Sequence, residues 1–218
     1  MKKKWQYFAS LGALMLILVG YNQCIMQDQI QLESDASVYD LPTKTVDTSS
    51  MEATPTVAMK NFEQINLTMS ELTGVSVTDN NVKNTYDTVK TLMPVDNNLE
   101  TFLSKDQISI TRLAGTYCDR LVENSNLRQA IWPNIDFGQN VNTVFANDST
   151  KLYVIDQAIS KFWGEGVQTG QSLSQARTDL FEMFEMLRAN ESNNSATTRN
   201  LVKGVCIATL SSANVILL

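Results

Sequence analysis

Ser104-Lys-Asp-Gln-Ile-Ser-Ile-Thr-Arg-Leu-Ala-Gly-Thr-Tyr-Cys-Asp-Arg-Leu121 reads as an amphipathic helix. Ile110, Leu113, Ala114, Tyr117, Cys118 and Leu121 recur at i, i+3, i+4, i+7, i+8 and i+11, which puts them on one helical face. Ser104, with Gln107 three residues on, has the form of a capping box.

The same period continues on both sides. Upstream, Phe62, Ile65, Met69 and Leu72 form a stripe that Gly74 closes. Asp79 is placed to cap the next helix, where Val82, Tyr86, Val89 and Met93 repeat until Pro94 ends it. Asp96 to Leu103 reads as a short helical turn. Downstream, Asn126 to Trp132 gives another turn, and residues 133–148, rich in Asn and Asp, read as a loop. Ser149 starts a helix carrying Leu152, Ile155, Ile159, Phe162 and Trp163, which Gly164 and Gly166 terminate. Ser172 caps a helix with Gln175 at the reciprocal position, and its stripe is Leu173, Ala176, Leu180, Met183, Phe184 and Leu187. Asn190 to Asn194 breaks the pattern before a last helix from Ala196 to Val215. No stretch alternates with period two for six residues. The expectation is an all-α fold, a single bundle of five or six helices over residues 59–218, a length suited to one core.

The first 58 residues are different. Lys2, Lys3 and Lys4 precede an uncharged apolar run from Phe8 to Gly20, the order of an export signal. Residues 1–24 are therefore expected to be a signal peptide or membrane anchor. Three fates stay open: cleavage after Gly20, lipidation at Cys24, or retention as an uncleaved anchor. Gln23 before Cys24 departs from the small residue a lipidation signal places there. Residues 25–58 hold six acids (Asp28, Glu33, Asp35, Asp40, Asp47, Glu52) against Lys44, with Pro42 and Pro55 and no period, and read as a disordered acidic tether.

Composition excludes several chemistries. The 218 residues contain no His, 3 Cys, 17 Lys+Arg and 23 Asp+Glu. Ser-His-Asp and Cys-His catalytic units and His-ligated zinc are therefore absent. The net charge of −6 argues against a nucleic-acid partner, which selects a basic footprint. Carboxylates remain as acid–base groups. Asp179, Glu182 and Glu185 lie at i, i+3 and i+6, a spacing open to a hard cation or a glycosidase pair but also that of a solvated helix face. Asn134, Asp136, Asn140, Asn142, Asn147 and Asp148 offer oxygens without the spacing of a calcium loop. Metal sites, cofactors and catalytic residues are accordingly expected to be none.

With Cys24 assigned to the export segment, Cys118 and Cys206 remain, both on the apolar stripes of their helices. In an exported chain a disulfide between them is expected, with two buried thiols as the alternative.

Two stretches, Phe62-Glu-Gln-Ile-Asn-Leu-Thr-Met-Ser-Glu-Leu-Thr-Gly-Val75 and Gln107-Ile-Ser-Ile-Thr-Arg-Leu-Ala-Gly-Thr-Tyr-Cys-Asp-Arg-Leu-Val122, together with Val205-Cys-Ile-Ala-Thr-Leu-Ser-Ser-Ala213, carry a resemblance. They resemble a helical region of exported proteins of marine and aquatic gram-negative bacteria, some of which also carry a laminin-G-like (LamG) domain. The resemblance brings no active site and implies an exported, envelope-associated helical protein. The expected role is a non-enzymatic structural or protein-interaction module of the periplasm or cell surface. It would be membrane-tethered by its N-terminal segment and partnered by envelope proteins. The alternative is a periplasmic module binding a small ligand or cation.

Overall fold

A computed structural model of the chain describes residues 58–92, 102–164 and 172–217. All fall within one compact unit, residues 53–218. The export segment with Cys24, the tether before residue 58, and Gly166 lie outside the described residues, as does most of the turn expected from Asp96 to Leu103.

The described residues are helical, without named strands. In chain order the helices are α1 (Phe62–Thr73), α2 (Asn80–Val89), a 3-10 turn (Lys90–Leu92), α3 (Ser104–Glu123), α4 (Ser125–Ile131), α5 (Val141–Val144), α6 (Asp148–Trp163), α7 (Leu173–Arg188), α8 (Ser195–Leu210) and α9 (Ala213–Ile216). The all-α fold is as expected. The count is not: nine α-helices occur among the described residues rather than five or six. The surplus is short helices, which carry too few turns to print a period.

One short helix, α5, lies inside the stretch read as a polar loop. Ile135, Phe137, Val141 and Phe145 there are buried, although among so many Asn and Asp residues they do not stand out as a stripe. Another arises because the last expected helix breaks at Ser211. The hydroxyls of Thr209, Ser211 and Ser212 donate to the carbonyls of Val205 (2.8 Å), Ile207 (2.8 Å) and Thr209 (2.7 Å). Such bonds compete with the amides that would continue the ladder.

Two caps also shift, and a third keeps its residue without the expected reciprocal bond. Leu103, not Ser104, precedes α3, and its N–H donates to Asp106 Oδ2 at 2.7 Å. Asn147 rather than Ser149 opens α6, where its Oδ1 accepts the Thr150 N–H at 3.0 Å. Ser172 caps α7 as expected, accepting from Gln175 N–H, but the Gln175 amide turns forward to Asp179 instead of back. At α3 and α6 a neighbouring acid or Asn thus supplies the acceptor in place of the hydroxyl or amide expected from spacing.

The antiparallel pair α3 and α8 forms the centre of the bundle. Helices α1 and α2 pack on α3, and α6 and α7 pack on α8. Between them Trp132, Tyr117, Phe145 and Phe184 are fully buried. Their polar tips are satisfied: Trp132 Nε1 donates to Val154 O at 3.1 Å, and the Tyr117 hydroxyl donates to Asn66 Oδ1 at 2.7 Å.

The bundle has two distinguishable poles. Met59 pairs antiparallel with Leu217, Lys60 N–H donates to Ile216 O at 2.8 Å, and Lys60 Nζ donates to Val215 O at 2.6 Å. Entry into the domain and its last described residues thus meet at one pole. The start of α3 lies there too, since Gln107 Nε2 donates to Ser211 O. The 20 residues of α3 carry the chain about 30 Å to the other pole. That far pole gathers α4, the 133–147 segment and the start of α8, where Thr198 Oγ1 donates to Gln139 O.

Candidate functional site

Cys118 on α3 and Cys206 on α8 form the expected disulfide, with a Cα–Cα distance of 5.8 Å. Both residues are fully buried. They meet because each lies on the apolar stripe of a helix, and the two helices are neighbours. Toward the far pole the same seam is held by charge. Lys203 Nζ sits 2.7 Å from both Asp119 Oδ1 and Glu123 Oε1. Burial alone would push its pKa down, but the two carboxylates outweigh that and leave it raised.

The carboxylate series on α7 does not converge on a shared site. Asp179 accepts from Gln175 Nε2, whereas Glu185 binds Lys151 Nζ of α6 at 2.7 Å. Lys151 is a residue that sequence reasoning missed. It is 6% exposed, lies 2.8 Å from Asp148 Oδ1, and sits 5.5 Å above the Phe181 ring. Burial lowers its pKa, and the two acids more than offset this. The group is a cross-helix tie that holds α6 to α7.

Most of the Asn and Asp side chains of the 134–148 region are likewise engaged in local structure, Asn134 through its Nδ2 alone. Asn140 and Asn147 cap α5 and α6. Asn142 Oδ1 accepts from Arg188 Nη2 at 3.0 Å, and Asn142 N–H donates to Asn193 Oδ1. Asp136 Oδ1 accepts the Gly138 N–H at 2.9 Å. Among the described residues no group of three or more acidic or Cys side chains is placed to hold a metal ion. Trp163 donates from Nε1 to Thr209 O at 2.9 Å and packs against the core.

What remains open to solvent at the far pole is a cleft of about 360 Å3 lined by Arg128, Gln129, Pro133, Asn134, Asp136 and Gly138, among others. Arg128 Nη1 donates to Val122 O (2.9 Å) and Glu123 O (3.4 Å), the terminal carbonyls of α3. Its guanidinium centre lies 5.0 Å from the Phe137 ring centroid. Asn134 Nδ2 donates to the Tyr153 hydroxyl at 3.2 Å. Nothing in the spacing of Arg128, Asn134 and Tyr153 marks them as neighbours; the unperiodic 133–140 turn brings them together.

No helix among the described residues is long and apolar enough to cross a membrane. Comparison of the chain with models of protein families, with curated proteins and with solved structures finds no match.

Proposed function

We propose that the protein is an exported, envelope-associated, non-enzymatic helical module that presents its surface to other envelope components while its N-terminal segment holds it at a membrane. The Cys118–Cys206 disulfide is the observation that carries this reading. A disulfide at the centre of a bundle persists where the surroundings are oxidising, and cytosolic thiol pools work against it. The basic-then-apolar order of residues 2–20 supports the same compartment. The structural role is supported by how polar groups are used among the described residues: buried tips, caps and cross-helix ion pairs engage many of them.

Fractionation of the native host combined with mass spectrometry of the intact chain tests the reading. The expected outcome is recovery with the envelope, with Cys118 and Cys206 resistant to alkylation unless reduced. Recovery from the cytoplasm with an intact N-terminus and two alkylatable thiols would refute it. Mass at the N-terminus also separates cleavage, lipidation at Cys24 and retention.

A further inference from the structure

We propose that the cleft at the far pole binds a neutral sugar residue of an oligosaccharide. Its lining is mixed in sign and rich in fixed hydrogen-bonding groups. Arg128 and Asp136 are the charged side chains in it, one of each sign, so neither an anion nor a cation is favoured by net charge. A sugar hydroxyl both donates and accepts, and vicinal hydroxyls match planar guanidinium, carboxylate and amide groups.

The groups are held before any ligand arrives. Arg128 is locked by its bonds to Val122 O and Glu123 O and by the Phe137 ring, leaving its Nε and Nη2 hydrogens unspent. The Gly138 N–H takes one oxygen of Asp136 and leaves the other. Asn134 is fixed by Tyr153 through its Nδ2 and keeps its carbonyl oxygen. The Gln129 amide makes no hydrogen bond within the described residues and offers both a donor and an acceptor. Arg128, Asp136 and Asn134, held in this way, do not have to be ordered on binding, whereas Gln129 is free to adjust. A second cleft of about 230 Å3, which Asn134 and Ile135 also line, adds Tyr153 and gives room for a neighbouring sugar.

The placement fits. The cleft lies at the end of α3 opposite the pole where Met59 and Leu217 pair, clear of the chain's entry into the domain. The choice of a glycan rests on the envelope location proposed above, because glycans are what an exported domain meets. Binding by purified protein is independent of localisation, so the two readings fail separately.

The test is amide chemical-shift mapping of the isotopically labelled full chain in detergent. The probes are three neutral tetrasaccharides, of glucose, mannose and N-acetylglucosamine, and an anionic one of galacturonate. The expected result is that at least one neutral probe shifts amides between Gln129 and Gly138. Gln129→Ala, which removes no intramolecular bond, should weaken binding about three- to tenfold, the worth of one neutral hydrogen bond, with an unchanged melting temperature. The proposal is overturned if no neutral probe shifts these amides, if the anionic probe binds more tightly, or if Gln129→Ala binds as well as the parent.

Discussion

The carboxylate of Asp79 accepts from the amides of Asn81 (2.9 Å) and Val82 (3.4 Å) through Oδ1 and from Arg120 Nε (3.0 Å) through Oδ2. One side chain thus caps α2 and ties its first turn to α3. Burial raises its pKa, but those two amides and Arg120 together outweigh it, so the net pKa lies below the usual aspartate range. Asp79→Ala should cost about 1–2 kcal/mol in urea unfolding at neutral pH, as lost N-caps do. Because the folded pKa is the lower one, this contribution is present above about pH 4 and fades as pH falls through the folded value. The difference between parent and variant should therefore shrink as pH falls below about 4; a difference that stays constant on acidification would contradict the assignment. The cap itself is legible in the sequence, since an Asp two residues after a Val-Ser-Val run precedes the next stripe. Its bond to Arg120 is not, because 41 residues separate the two.

At the scale of elements, Gly74 ends α1 with φ 72°, and its N–H donates to Ser70 O. A Cβ there would meet Leu127 Cδ2 at 3.2 Å in addition to the left-handed backbone. Gly74→Ala should destabilise by about 1–2 kcal/mol, the cost of a side chain in that region. Gly115, inside α3, is the control. Its added Cβ would find Ile207 Cδ1 at 3.9 Å, ordinary contact, and helix propensity favours Ala by about 1 kcal/mol. Gly115→Ala should thus be neutral or stabilising, and equal losses at both positions would refute the backbone argument. The stripes of α1, α2, α3, α6 and α7 were readable because each repeats over several turns against one core. Helix α5 and the break at Ser211 were not, because four residues print no period and hydroxyl back-bonding has no spacing signature. The far-pole cleft was hidden for a related reason: Arg128, Asn134 and Asp136 converge through an irregular turn.

For the molecule as a whole, the disulfide joins the two central helices across 88 residues of sequence. Cross-linking a loop of that length removes denatured-state entropy worth roughly 4–5 kcal/mol in the chain-entropy account. The variant with both Cys118→Ala and Cys206→Ala should show a urea midpoint well below that of the oxidised parent, and an unchanged midpoint would contradict a structural bridge. That both cysteines face the core was evident from their stripes. That α3 and α8 are neighbours was not, since a stripe says a helix is buried but not against which partner. The bridge also fixes how the domain transmits force. Tension applied along the polypeptide from its two ends passes from Cys118 to Cys206 through sulfur and bypasses α4 to α7, so about 300 Å of contour stays slack. A pulling experiment would extend the segments outside the loop and leave the cleft-bearing segment unstretched until the disulfide is reduced.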